Sequence, residues 1–240
     1  MKKITTVILA AGRSTRFISN NSKLTQELAG LSIVSHVYNA AKKISDKNII
    51  VVCNKENYEE LKSLLVDCKL VIQKSQKGTA DAIKSCLPML KNFNGNVLIL
   101  SGDVPMIKTE TLINFFNHHN TCQALGSLIS ADLEDSTGYG RIIKNKANQL
   151  LKIIEHKDAN EQQKTIREIN SGIYIFDSKV LIDKIPFIKN DNMQKEYYLP
   201  DIFNFMDKQK TSIYKINNYD EISGVNTMQQ LKKLENLTTK

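Results

Sequence analysis

Paired cysteines, blocks of like charge and long apolar runs are all missing from this chain, and each absence removes a class of function. The four cysteines, Cys53, Cys68, Cys86 and Cys122, form no C-x-x-C pair and no His-x-x-x-His accompanies them. Isolated cysteines of this kind pack as small hydrophobes in a reducing compartment. The net charge of +8 is spread without a run of five or six like charges. That pattern suits a solvated surface around a small anionic ligand better than an arm that grips nucleic acid, and no known nucleic-acid module is present. No stretch approaches the ~18 apolar residues of a membrane span. Met1–Lys2–Lys3 and the short apolar run behind it imitate a signal peptide, but Arg13 and Arg16 stand where a cleavage site belongs. The expectation is a cytoplasmic protein with no membrane and no nucleic-acid partner. No repeat, low-complexity tract or linker divides the chain, so residues 1–240 read as one domain. Oligomeric state leaves no signature.

What is present begins at Ile8–Leu9–Ala10–Ala11–Gly12–Arg13–Ser14–Thr15–Arg16. Thr5–Leu9 reads as a buried strand, and the small residues after it let backbone N–H groups approach a ligand. Arg13, Arg16 and Lys23 supply the cations that a triphosphate requires. A tight turn with no ligand would also end a strand in Ala-Ala-Gly. The stretch is neither the G-x-G-x-x-G dinucleotide fingerprint nor a Walker A loop.

Downstream the chain alternates. Ile33, His36, Val37, Ala40, Ala41 and Ile44 form a helical stripe on which His36 is a packing residue. Asn48–Val52, Lys69–Ile72 and Asn96–Leu100 are strands; Tyr58–Leu65 and a segment from Thr79 to about Pro88 are helices, with Thr79 as N-cap and Asp81 at the positive end. This rhythm predicts an α/β fold, a Rossmann-like, mostly parallel sheet with helices on both faces. Ligands of such sheets sit at the carboxyl ends of the strands, where the first loop, Gln73–Thr79 and Gly102–Asp103 converge. An Asp after a strand can simply cap a turn. Beside two cations and a phosphate cradle, Asp103 reads better as a carboxylate holding Mg²⁺ against phosphate oxygens.

After Ala124 the pattern becomes hairpin-like: a strand at Ala124–Ile129, a turn at Thr137–Arg141, and strands at Arg141–Lys144 and Leu150–Glu155. Glu168–Phe176 is a strand broken by polar residues, which face a ligand or each other. His118 and His119 are placed on the surface and His156 in a loop, none with metal-ligand spacing. Glu196–Asp201 leads into a helix to about Gln209, Thr211–Ile216 and Glu221–Val225 are strands, and Thr227–Gln230 opens a last helix with a capping box. The polar strands suggest an acceptor half, about 121–226, beside a nucleotide half, about 1–120, with a C-terminal helix over 227–238.

Taken together, these segments resemble the uridylyltransferase domain of the bacterial N-acetylglucosamine-1-phosphate uridylyltransferases, members of the sugar-phosphate nucleotidyltransferases. The resemblance covers Leu9–Gly12 with Thr15–Arg16 and Lys23, Gln73 with Gln76–Ala80, Gly102–Pro105, Gly138–Ile142, Ile154–Ala159, Glu168–Gly172, Glu196–Tyr198 and Gly224–Asn226. It implies the nucleotide-diphospho-sugar transferase fold and transfer of UMP from UTP to N-acetylglucosamine-1-phosphate, giving UDP-GlcNAc and pyrophosphate. It also implies that Asp103 and Asn226 hold Mg²⁺, that Arg16 and Lys23 neutralise the triphosphate, and that Leu9, Ala10, Ala11, Gly12, Gln73, Gln76, Gly78 and Thr79 bind the nucleotide. Gly140, Glu155, Asn170 and Tyr198 would hold the N-acetyl sugar. Other acceptors, another base, or a nucleotide-binding homologue without turnover remain open. The chain departs from the family at Ser14, Ser22, Ser101 and Pro200, where the usual residues are glycine, proline, an aromatic and threonine. A side chain at Ser14 would crowd the phosphates. None of the hexapeptide periodicity of the family's acetylating β-helix is found in these residues, so acetyl transfer is not expected of them.

Overall fold

The N-terminal strand β1 (Ile4–Leu9) lies at the middle of the molecule because Val7 and Ile8 point to opposite faces and both are fully buried. Each side chain of this kind contributes roughly 1.5–3 kcal/mol when removed from water. The computed structural model describes residues 3–12 and 22–238. Across them the order is a short hairpin of β2 (Glu27–Leu28) and β3 (Leu31–Ser32), then α1 (Ile33–Ser45), β4 (Ile49–Cys53), α2 (Tyr58–Leu64), β5 (Lys69–Ile72), α3 (Thr79–Leu90), β6 (Asn96–Ser101), α4 (Thr109–Thr121) and β7 (Gly126–Asp132). The chain continues through β8 (Arg141–Lys144), β9 (Leu150–Ile154), α5 (Glu161–Lys164), β10 (Glu168–Asp177), α6 (Ser178–Lys184), β11 (Thr211–Lys215) and α7 (Met228–Thr238).

The main sheet runs β11-β7-β10-β6-β1-β4-β5, and the β8–β9 hairpin joins it through β10. β1 pairs in parallel with β4 and β6, β4 with β5, and β11 with β7, while β10 alone in this order runs antiparallel to its neighbours. The mostly parallel α/β sheet expected from the alternation is present. Its faces separate by the two-residue period of a strand. Ile8, Ile49, Val51, Leu98 and Leu100 pack with α1, α4 and α7. Val7, Ile50, Val52, Val97 and Ile99 pack with α3 and α6.

Several local expectations change. The segment 199–205 is a 3₁₀ helix, not an α-helix running to Gln209; Leu199, Ile202 and Phe203 face the core at a spacing that three residues per turn serves. Residues 221–225 are not a strand, because Tyr219–Ile222 coils and the Val225 N–H then donates to Asp103 O (2.8 Å) rather than to a ladder. Gly78, at φ 107°, takes the N-cap position of α3, so Thr79 is its first helical residue. Pro88 lies inside that helix, which reaches Leu90. His119 is 1% exposed, held by its ring to Ser127 Oγ at 2.7 Å, and is not a surface residue. His36 is half-buried rather than in the core, its ring bonded to Leu28 O (2.6 Å). Thr227 and Gln230 form the expected reciprocal cap of α7.

Candidate active site

Four strand ends share one edge. Leu9 stands opposite Val52 on one side and Ser101 on the other, and Cys53 opposite Ile72. The loops after β1, β4, β5 and β6 therefore open at the same rim. The Gly102 N–H donates to Leu9 O (2.9 Å), which lays the Gly102–Asp103 turn against the loop Ala10–Ala11–Gly12. Gly102 fits because a Cβ there would come within 3.0 Å of Leu9 O.

Lys23 meets two partners from distant parts of the chain. Lys23 Nζ donates to Asp103 Oδ2 at 2.6 Å and to Asn226 Oδ1 at 3.1 Å. The Lys23 and Asp103 side chains are only 11% and 20% exposed, so this charge pair is little screened. A carboxylate and an amide oxygen converging on one ammonium nitrogen are a pair of donors that could hold a small cation. Hard oxygen donors are what Mg²⁺ selects. Among the described residues no cluster of three or more His, Cys, Asp or Glu could hold a metal. Two protein oxygens supplemented by phosphate and water fit the habit of Mg²⁺. Arg13, Ser14 and Arg16 lie outside the described residues.

The loop after β5 is tied by Asp81. Its Oδ2 accepts from Gln73 Nε2 (2.7 Å), Ser75 Oγ (2.8 Å) and Lys77 N (3.2 Å). Burial pushes its pKa up, but these hydrogen bonds outweigh it and hold the carboxyl below its ordinary value. Asp81 stands in the first turn of α3, as expected for the positive end of that helix, and is also the knot of the loop. Gln73 is buried and donates also to Gly78 O (3.1 Å), and neither bond uses its Oε1. Gln76 adopts a positive φ of 43° in the same turn. Thr79 Oγ1 accepts from Leu199 N (2.9 Å), Tyr197 N donates to Lys77 O (2.8 Å) and Ala80 N donates to Tyr197 O (2.8 Å). The segment 77–80 is thus bonded to 197–199.

Gly140, Glu155, Asn170 and Tyr198 gather on the other side. Asn170 N donates to Gly140 O (2.9 Å), and a Cβ on Gly140 would stand 3.1 Å from Glu155 Oε1. Asn170 lies where the β10–β7 register shifts; its Nδ2 donates to Tyr174 Oη (2.7 Å). Tyr198 is buried, its hydroxyl accepting from Gln194 (2.8 Å). Loss of hydration, then the negative charges of Asp201 and Asp158, push Glu155 up to about 7, against the lowering pull of Arg141. Burial and Asp158 likewise raise Asp201 to about 6. Arg141 is 1% exposed and its guanidinium bonds Tyr139 O and His156 Nδ1. Sequence reasoning passed over Asp201 and Arg141; their only signal was charge beside motif residues, Asp201 after Tyr197–Tyr198 and Arg141 after Gly140.

A separate cleft of about 580 Å³ shares Gly224 with the Asp103 region and is lined by Asp132, Glu134, Asp135, Tyr139, Asp220 and Lys233. Its acidic wall is poorly suited to a polyanion. The rim at Gly12, Lys23 and Asp103 instead sets one ammonium against one carboxylate.

A sequence profile of the nucleotidyl transferases matches residues 5–221, most of the chain. The chain belongs to the nucleotidyl transferase family. Among curated family relatives it is 38% identical over 235 residues to the bifunctional protein GlmU of Alkaliphilus oremlandii, covering 97% of this chain and 51% of that protein. It is 36% identical over 239 residues to GlmU of Geobacillus thermodenitrificans, covering 99% and 52%. The chain spans about half the length of these curated relatives. A solved structure titled a putative glucose-1-phosphate thymidylyltransferase from Bacillus anthracis, in complex with a sucrose, superimposes with a TM-score of 0.76 at 18% identity, covering 98% of this chain and 94% of that one. At that identity the match speaks for the nucleotidyl transferase fold alone. No helix among the described residues is long and apolar enough to cross a membrane.

Proposed function

We propose that this chain is a sugar-phosphate nucleotidyltransferase that transfers UMP from UTP to N-acetylglucosamine-1-phosphate, releasing pyrophosphate. The observation that carries the reading is the convergence of Lys23, Asp103 and Asn226 beside the Ala10–Gly12 loop. The identity of 36–39% to GlmU proteins across nearly the whole chain supports the acceptor and the base. Residues 1–120 would serve the nucleotide and 121–226 the acceptor, with the helix over 227–238 closing one domain.

A phosphate oxygen of the sugar phosphate attacks the α-phosphorus. A new P–O bond forms, the bond to the bridging oxygen of the β-phosphate breaks, and pyrophosphate leaves with that electron pair. A phosphate monoester has its second pKa near 6, so the nucleophile is already anionic at neutral pH and no general base is required. The obstacle is the repulsion between two anions, and catalysis consists of alignment and charge neutralisation. Lys23 neutralises charge on the triphosphate, with Arg16 assigned the same task. Leu9, Ala10, Ala11, Gly12, Gln73, Gln76, Gly78 and Thr79 bind and orient the nucleotide. Gly140, Glu155, Asn170 and Tyr198 hold the sugar so that its phosphate faces the α-phosphorus. Asp103 and Asn226 would hold Mg²⁺, which when bound offsets phosphate charge as a Lewis acid.

The test is pyrophosphate release with UTP and N-acetylglucosamine-1-phosphate, set against unacetylated glucosamine-1-phosphate and other hexose-1-phosphates, with ATP, CTP, GTP and dTTP in place of UTP. Preferred turnover of the acetylated acceptor with UTP is expected. Preference for another pair would replace the substrate assignment, and tight UTP–Mg²⁺ binding with no product would replace the enzyme.

A further inference from the structure

Asn54 and Asn57 follow β4 and are 4% and 3% exposed. Their side chains form a reciprocal pair: Asn54 N donates to Asn57 Oδ1 (2.9 Å) and Asn57 N donates to Asn54 Oδ1 (2.8 Å). Each amide nitrogen then reaches across to the loop after β1. Asn57 Nδ2 donates to Ala10 O at 2.8 Å and Asn54 Nδ2 to Ala11 O at 3.3 Å. Asn57 is the N-cap residue of α2, yet its side chain makes no capping bond to that helix. A residue well suited to capping is committed to the Ala10 carbonyl of another loop instead, with Asn54 taking the next carbonyl.

A trans peptide is planar, with its C=O and N–H directed oppositely. Fixing the carbonyl of Ala10 therefore fixes the N–H of Ala11, and fixing the carbonyl of Ala11 fixes the N–H of Gly12. Both N–H groups are turned away from the asparagines. Backbone N–H groups in a small-residue loop bind anions only if they are aimed in advance. Ala10 and Ala11 have no side-chain polar atom with which to anchor themselves; Ala10 N is anchored from the β4 side, donating to Val52 O (2.7 Å).

We propose that Asn54 and Asn57 are positioning residues that pre-set the Ala11 and Gly12 amides for the nucleotide triphosphate. This rests on the nucleotidyltransferase reading and adds a second layer to it. The clasp touches no substrate and acts only through the backbone of the loop. Its effect falls on nucleotide affinity and leaves the acceptor side alone, since none of its four hydrogen bonds involves an acceptor-side residue.

The experiment is calorimetric titration of the full chain with Mg²⁺–UTP, and steady-state kinetics in both substrates, for wild type, Asn57→Ala, Asn57→Asp and Asn54→Ala. Removing one buried hydrogen bond of this kind should weaken nucleotide binding about tenfold. Asn57→Asp, which keeps the acceptor oxygen but sets a carboxylate against Ala10 O, should weaken it further. Asn54→Ala, losing the longer bond, should weaken it less. KM for the sugar phosphate at saturating nucleotide should stay within about twofold, because the clasp acts on one substrate. Hydrogen exchange over residues 8–12 of the nucleotide-free protein should speed up in each variant, and it remains readable in a variant with lowered melting temperature. Unchanged nucleotide affinity in folded variants, or equal losses toward both substrates, would overturn the clasp while leaving the nucleotidyltransferase reading intact. Absence of binding by wild type to UTP or to any of the other four nucleotides would overturn both.

Discussion

Lys23 Nζ lies 2.6 Å from Asp103 Oδ2, two side chains separated by 80 positions in the chain and joined at the mouth of the β1 loop. The same nitrogen contacts Asn226 Oδ1. An ammonium group therefore stands between the two oxygens proposed to hold the metal.

If those oxygens hold a divalent ion, as proposed, the ion and Lys23 compete for them until phosphates draw the lysine away. Lys23→Met should bind Mn²⁺ alone several-fold more tightly than wild type, read by electron paramagnetic resonance. Turnover should nonetheless fall by about 10²-fold or more, the scale of losing one electrostatic contact to a transition state. Asp103→Ala should lose both Mn²⁺ binding and turnover, with a melting temperature within roughly 4 °C of wild type. Equal Mn²⁺ affinity in wild type and Lys23→Met would remove Asp103 and Asn226 from the metal's coordination.

Glu155 makes stability depend on pH. Its carboxyl is raised from 4.5 to about 7 by burial and by Asp201 and Asp158. The folded chain holds a proton there that the unfolded chain has released, so stability falls as pH rises through that window and the penalty is complete above it. Glu155→Gln should melt at a temperature closer to wild type at pH 5 than at pH 8, where the variant should be the more stable. A pH-independent difference would sink this account. If Glu155 accepts hydroxyls of the sugar as a carboxylate, wild-type KM for the acceptor should also drop between pH 6 and 8, and the variant should lose that dependence.

Gly78 permits no side chain. At φ 107°, a Cβ would fall 2.6 Å from Tyr197 O and 2.8 Å from Tyr197 N. Gly78→Ala should therefore raise KM for both substrates, since the displaced backbone belongs to the segment carrying Tyr198. A change confined to the nucleotide would show that the two loops move independently.

His119 provides the contrast. It bonds Ser127, which bonds Ser212 at 2.7 Å between β7 and β11, with no residue assigned to substrate. His119→Ala should cost about 2–4 kcal/mol of stability through a cavity and the lost bond to Ser127. Melting should drop by roughly 5–12 °C, with both KM values unchanged below the transition.

The central strands were legible because they are uniform: Val7–Leu9, Ile49–Val52 and Val97–Leu100 are apolar runs between small or polar loops, the pattern of a sheet covered on both faces. The meeting of Lys23, Asp103 and Asn226 followed from strand direction and family resemblance together. What stayed hidden depends on long-range partners. His119 and its neighbour His118 look alike in sequence, and only helix phase against β7 sends one inward. Residues 221–225 have strand-like composition, but a nearby carbonyl at Asp103 captures the backbone first. Asn54 and Asn57 attract no reading from the sequence, because nothing local shows that their amides cross to another loop.

The backbone bonds that join Lys77 and Ala80 to Tyr197, with the bond from Leu199 N to Thr79 Oγ1, have a consequence for redesign. Attempts to retune base preference by grafting residues 73–80 from another transferase would leave the recipient's 196–199 mismatched. On the proposed assignment of these segments to nucleotide and sugar, the unit of specificity is the pair, and transplanting them together is the economical route to a chimera with altered substrates.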